Sequence, residues 1–138
     1  MRVPSAIFLV FGLAFAATSA SAGEKTPPPG TTVEMPYVMA PMIVDDKLVA
    51  YAYFSPKIIA TSQSAAIDIR DKTPFLQDAF VRDVNGASIA TKADPAKVDS
   101  EALLARLLRD ARRIMGSGKV ASVSAQIQIA QLRPASGG

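Results

Sequence analysis

Between Val98 and Leu132 the apolar positions change their period once. Leu103, Leu107, Ala111 and Ile114 recur at steps of four, four and three, which places them on one face of a helix. Leu104, Leu108 and Met115 widen that stripe, and Asp99 or Ser100 supplies an N-cap. Gly116 and Gly118 then interrupt it, as glycine does just past a helix end. From Ser122 the period is two: Val123, Ala125, Ile127 and Ile129 alternate with Ser122, Ser124, Gln126 and Gln128. A single strand with one buried and one wet face accounts for that alternation.

Earlier in the chain, Tyr37 to Val44 reads as a first strand, and Pro41 confines it to a sheet edge or a bulge. Asp45-Asp46-Lys47 is polar between two apolar runs and reads as a hairpin turn. Leu48 to Thr61 is a second strand, broken around Ser55-Pro56. Val49, Tyr51 and Tyr53 share one of its faces; Leu48, Ala50, Ala52 and Phe54 share the other. Both faces are apolar, so this strand is expected to be central or covered on both sides. Ser62 to Asp71 is ambiguous, although Ala65, Ala66 and Ile69 suit the start of a helix. Leu76, Phe80 and Val84 step by four, which makes Phe75 to Val84 helical. Thr73 serves as its N-cap with Pro74 at the first helical position, or Pro74 kinks a longer helix begun near Ser64. Asn85-Gly86 ends that helix, and a polar loop follows from Ala87 to Lys97. The order strand, strand, helix, helix, strand predicts an α+β domain over residues 35–133. Its expected form is a small three-stranded, mostly antiparallel sheet packed on one side by two helices. Residues 134–138 are expected to be a flexible tail.

The N-terminus bears on location. Ala6 to Ala17 is apolar apart from Gly12 and follows the basic Met1-Arg2. As a helix it spans about 18 Å, short of a bilayer core of about 30 Å. Ala20-Ser21-Ala22 matches the small-residue pattern of a secretory cleavage site. Residues 1–22 therefore read as a signal peptide cut after Ala22, which predicts a periplasmic protein. The competing reading is an uncleaved inner-membrane anchor, Val3 to Ala22, facing the periplasm, and membrane contact is expected only in that case. Residues 23–34 contain Pro27-Pro28-Pro29-Gly30 and read as a stiff, extended linker.

Composition narrows the chemistry. The chain has no cysteine, histidine or tryptophan. That removes disulfides, thiolate nucleophiles, imidazole bases and the commonest zinc ligands together. A net charge of +3 is too small for a nucleic-acid footprint, and no nucleic-acid partner is expected. Gly116-Ser117-Gly118-Lys119 has the composition of a phosphate loop, but the helix precedes it, the reverse of what such a loop needs. Asp68, Asp71, Asp78 and Asp83 do not fit a calcium-loop spacing. No catalytic, cofactor-binding or metal-ligating residue is assigned, and neither an enzyme nor a cofactor is expected. The interaction candidates are Arg106, Arg109 and Arg113, whose i, i+3, i+7 spacing sets them on one outward helical face. Such a face suits an acidic partner or a lipid head group. The alternative is a solvated face on which Asp110 pairs with Arg106 or Arg113.

In their order and spacing, these segments resemble the flagellar basal-body-associated FliL family. The segments are the strand Leu48-Val-Ala-Tyr-Ala-Tyr-Phe, the proline-led Thr73-Pro-Phe-Leu-Gln-Asp-Ala-Phe-Val, the helix Glu101-Ala-Leu-Leu-Ala-Arg-Leu-Leu, the step Gly118-Lys-Val and the strand Ala125-Gln-Ile-Gln-Ile. The resemblance covers about Met35 to Leu132. It implies a stomatin-like extracytoplasmic domain that assembles around flagellar stator units and supports motor torque without catalysis. Stator or basal-body proteins are the partners it implies. The family is normally held by an uncleaved membrane helix, so the resemblance and the Ala20-Ser21-Ala22 pattern give different expectations for residues 1–22. The alternative function is a secreted periplasmic adaptor of similar architecture, unrelated to the flagellum. In either case the domain is expected to act by binding a protein partner or as a homo-oligomer.

Overall fold

The described part of the computed structural model is residues 26–132. Its elements are β1 (Thr32–Glu34), β2 (Val38–Val44), β3 (Lys47–Phe54), β4 (Lys57–Ala60), α1 (Gln63–Asp71), α2 (Thr73–Gly86), α3 (Ser100–Met115), β5 (Val120–Ser124) and β6 (Ile127–Gln131). The class is α+β, as expected. In place of one sheet and two helices there are two three-stranded antiparallel sheets, β1-β4-β5 and β2-β3-β6, and three helices. The expected signal peptide and tail lie outside the described residues.

The register explains how one expected sheet becomes two. Phe54 stands opposite Ile127, and Lys57 stands opposite Ser124. The pairing therefore keeps the same step through Ser55-Pro56 on one strand and Ala125-Gln126 on the other. On the far side Val38 faces Phe54 while Glu34 faces Lys57, a shift of one residue across the connecting segment. Each of the three strands passes once from one sheet to the other, so the sheets are two halves of one bent ribbon. At the bend, the Ser55 hydroxyl donates to the Met35 carbonyl at 2.6 Å, and the Met35 N–H donates to the Pro56 carbonyl at 2.8 Å. Proline has no N–H to give to a ladder, so a break there leaves no orphaned donor.

The central strand is β3 in one half and β4 in the other, as its apolar composition predicts. Only one β3 face is in the core, however: Ala50, Ala52 and Phe54 are buried, whereas Tyr53 is exposed. Pro41 sits on the edge strand β2, beside a bulge between Met42 and Ile43. The β2–β3 turn has Asp45 at φ 49° and Asp46 at φ 61°, the left-handed pair that a two-residue hairpin requires. The proline stretch is not wholly extended. Thr31 donates from its N–H to the Pro28 carbonyl at 3.3 Å, with Gly30 at φ 76°. This is a type II turn, with Pro29 and Gly30 in the positions that favour proline and glycine. The Gln63 side chain holds it by donating to the Pro29 carbonyl, and Thr31 and Val33 are buried beyond it. Residues of the expected linker, from the Pro28–Thr31 turn through β1, are thus part of the packed domain.

Ser62 caps α1 by accepting from the Ala65 N–H at 3.0 Å. Lys72 alone separates α1 from α2, because Pro74 cannot donate back along a continuous helix. The two expectations for Pro74 therefore merge: a helix does begin before it, and a new one starts at Thr73, beside it. Thr73 is the first residue of α2 and not its cap; its hydroxyl instead donates to the Ile69 carbonyl at 3.4 Å. Asp99 caps α3 through the Ala102 N–H, and Gly116 ends it at φ 89°. Among the described residues no helix is long and apolar enough to cross a membrane.

One apolar cluster joins the layers, with Phe54 and Ile58 from the ribbon meeting Ile69, Phe80, Leu103 and Leu107 from the helices. The C-terminal alternation is less deeply used than its pattern implies. Val120 and Val123 are buried, Ile127 is half-buried and Ile129 is exposed, because β6 lies beyond the reach of the helices. Leu107 is fully buried. Leu107→Ala is expected to cost about 2–5 kcal/mol, read as a lower urea midpoint with an unchanged slope.

Candidate functional site

The three candidate arginines project from α3 toward α2, and the structure separates their roles. Arg106 is largely covered, with 19% of its side chain exposed. Its guanidinium lies 2.5 Å from Asp83 Oδ1 and donates to the carbonyls of Asp83 at 2.8 Å, Ser88 at 2.9 Å and Ala87 at 3.3 Å. Those carbonyls stand at the C-terminal end of α2, where a helix leaves acceptors unpaired and where a cation is favoured. Arg106 is thus an internal clamp and not part of an outward interaction face, which corrects the expectation from its spacing. Arg109 and Arg113 remain outward, at 69% and 70% side-chain exposure, with Arg109 3.8 Å from Asp83 and Arg113 3.2 Å from Asp110.

Asp110 pairs with Arg113, one of the two partners its spacing allows; the burial of Asp110 and the pairing of Asp83 with Arg106 are what the sequence pattern does not show. Asp83 lies in the last turn of α2, where a carboxylate opposes the helix dipole and needs a cation from elsewhere. That opposition was the available signal, and Arg106 answers it. The Asp83 Oδ1 atom is shut off from water and receives no well-aligned hydrogen bond, because the Arg106 N–H groups aim at the carbonyls beside it. Asp110 is buried on the stripe that carries Leu103, Leu107 and Ala111. Burial raises its pKa above the ordinary 3.8; a hydrogen bond to the Asp83 carboxyl and the Asp83 charge raise it further, against Arg113 and Arg109. Arg112, on the other flank of α3, donates to the carbonyls of Val120 at 3.3 Å and Ala121 at 3.2 Å, tying the helix to β5.

Lys72, Phe75, Arg82, Asp83, Arg109 and Arg113 line a groove of about 610 Å³ between α2 and α3. Its charges alternate in sign, so it offers no single-sign field to a ligand. Two adjacent carboxyls, one with a raised pKa, are also the parts of an acid–base pair. Here both are tied into ion pairs: those of Asp83 with Arg106 and Arg109 join α2 to α3, and that of Asp110 with Arg113 stays within α3. Among the described residues no group of three or more acidic side chains is placed to hold a metal ion. No protein-family model matches the chain, and no curated protein matches it.

Removing Arg106 strands a buried carboxylate and frees several carbonyls. Arg106→Ala is expected to cost about 3 kcal/mol, whereas Arg109→Ala costs about 0–1 kcal/mol because its partner contact is long and wet. Denaturant titration compares the two, and equal losses would mean that the clamp contributes nothing.

Asp110 supplies a pH test. Its folded pKa is raised, so ionisation is harder in the folded state than in the unfolded chain. Below the ordinary value of 3.8 both states are protonated and no penalty exists; the penalty grows as pH rises and is complete above the raised folded value. Asp110→Asn removes the titration. The stability of the variant relative to the parent is expected to rise across that window and level off above it, read from urea midpoints at successive pH values. A difference that stays constant with pH would rule the shift out.

Proposed function

We propose that this chain is an exported, non-catalytic interaction domain of the FliL-like kind, acting in the periplasm beside the flagellar motor. The observation that carries the interaction reading is the outer face of the β2-β3-β6 sheet. Met39 faces Tyr53, which faces Gln128, and Pro41 faces Tyr51, which faces Ala130. The helices pack against the opposite face, where Ala40, Ala52 and Phe54 are buried. Met39 and Tyr53 are exposed, Tyr37 stands exposed just before β2, and the rings of Tyr51 and Tyr53 lie 6.4 Å apart. Exposed aromatic and methionine side chains gathered on one face mark binding surfaces more than they mark solvent-facing ones. The segments that carry the resemblance fall on β3, α2, α3 and β6 in that order, which is the basis of the family reading, and Ala20-Ser21-Ala22 is the basis of the export reading.

Recovery of the full-length chain from native cells tests the reading as a whole. Periplasmic protein beginning at Gly23, co-purifying with stator or basal-body proteins, is the expected result, read by mass spectrometry. Protein that retains Met1 makes residues 3–22 an anchor. An exported chain that recovers no flagellar protein removes the motor from the proposal.

A further inference from the structure

Three of the four sheet edges in this fold are shielded, each by a different device. The β1 edge is three residues long, and Glu34 on it pairs with Lys57 at 3.1 Å. The β2 edge carries Pro41 and the bulge at Met42/Ile43. On β5, Arg112 occupies the carbonyls of Val120 and Ala121. Short length, proline, a bulge and a covering charge are the means by which proteins keep an edge from pairing. Among the described residues the β6 edge has none of them. From Val120 to Leu132 the chain contains no charged residue, no proline and no glycine.

The direction in which β6 presents its backbone follows from one hydrogen bond. Leu132 donates its N–H to the Val49 carbonyl at 3.2 Å, continuing the ladder in which Ala50 faces Gln131. In an antiparallel ladder the bonded residues alternate. Leu132, Ala130 and Gln128 therefore turn their backbone groups toward β3, and Ile127, Ile129 and Gln131 turn theirs outward. The same residues carry Ile127 and Ile129 on the inner face, opposite Phe54 and Ala52. Phe54 and Ala52 are fully buried, yet Ile129 is 38% exposed, since no helix extends over it.

We propose that two copies of this chain pair antiparallel through β6, about a two-fold axis at Ile129, to form one continuous sheet. This rests on the interaction reading and names a second copy as the partner. The edge is self-complementary: with Ile129 opposite its own symmetry mate, Ile127 of each copy falls opposite Gln131 of the other. All three then stand in bonded positions, so their outward N–H and C=O groups exchange hydrogen bonds. No like charges meet across the axis. The two Ile129 side chains cover one another at the spot that the helices leave open. A second copy meets every requirement of this edge without any feature that the chain lacks.

Light scattering of the full-length exported protein across a concentration series tests the pairing. The apparent mass is expected to rise from that of one chain toward twofold. Ile129→Lys sets two ammonium groups against each other and is expected to hold the chain at single mass with an unchanged far-UV spectrum. Mixing Ile129→Lys with Ile129→Glu is expected to restore the twofold mass. Because the chain has no cysteine of its own, Ile129→Cys provides a second readout that survives if the lysine variant fails to fold. Directly opposed residues lie about 5.5 Å apart at Cα, within disulfide reach. Oxidation is expected to yield a covalent dimer from Ile129→Cys and none from Glu34→Cys on the β1 edge. A parent chain that stays at single mass, or a twofold mass that Ile129→Lys leaves intact, overturns the pairing. A single-mass chain that still recovers a protein partner overturns it while leaving the interaction reading in place.

Discussion

The bend at Ser55-Pro56 governs the rest of the molecule. It lies in the central strand, so both neighbours have to follow it, and they do so at Ala125-Gln126 on one side and around Met35 on the other. A flat three-stranded ribbon of this length would show its inner face to helices over only part of its area. Bent, it presents Ile58 and Phe54 to the same cluster as Ile69, Phe80 and Leu107. The local chemistry fits the task. Pro56 has no donor to lose, and the carbonyls of Met35 and Pro56 are each engaged across the break.

Where the ribbon positions the helices, charges fasten them. Arg106 from α3 closes the C-terminal end of α2, Arg112 reaches β5, and Lys119 meets Asp68 of α1 at 2.8 Å. These contacts differ in weight. The Lys119–Asp68 pair is about half exposed on both sides and contributes little, as exposed ion pairs do. Arg106 is covered and satisfies several acceptors at once through a planar fork that lysine does not have. The arginines that look equivalent along the helix thus divide into a clamp, an edge cover and two wet side chains.

Much of this architecture could be read from the chain. The α3 stripe and its Gly116 stop are local, and local rules found them; the same rules narrowed the cap to Asp99 or Ser100, and Asp99 is the cap. The hairpin at Asp45-Asp46 and the demotion of Pro41 to an edge were found in the same way. The bend was visible as an interruption at Ser55-Pro56, but nothing local says that Ala125-Gln126 sits opposite it; that takes the pairing of residues far apart in sequence. Proline adjacency masked the turn at Pro28 to Thr31, because a proline run and a Pro-Gly turn begin alike. Helical spacing put Arg106, Arg109 and Arg113 on one face without saying which part of that face α2 covers. Burial of Ile129 was overestimated for the same reason: alternation shows which way a side chain points, not whether anything stands over it.

The distance along the chain between partners in the ribbon has a consequence for how the molecule is made. Ala50 pairs with Gln131, and all three helices lie between them. Helices and the tight β2–β3 hairpin close on contacts within a few residues, whereas this ladder has to bring together nearly the two ends of the domain. During synthesis, the chain up to Gly118 has much of its helical structure within reach but not its third strand. Until the last dozen or so described residues arrive, β3 and β4 keep a vacant flank, and the nascent domain stays open to unfolding. Completion of the fold is set by the arrival of the final strand, which makes the order of emergence a part of the folding mechanism.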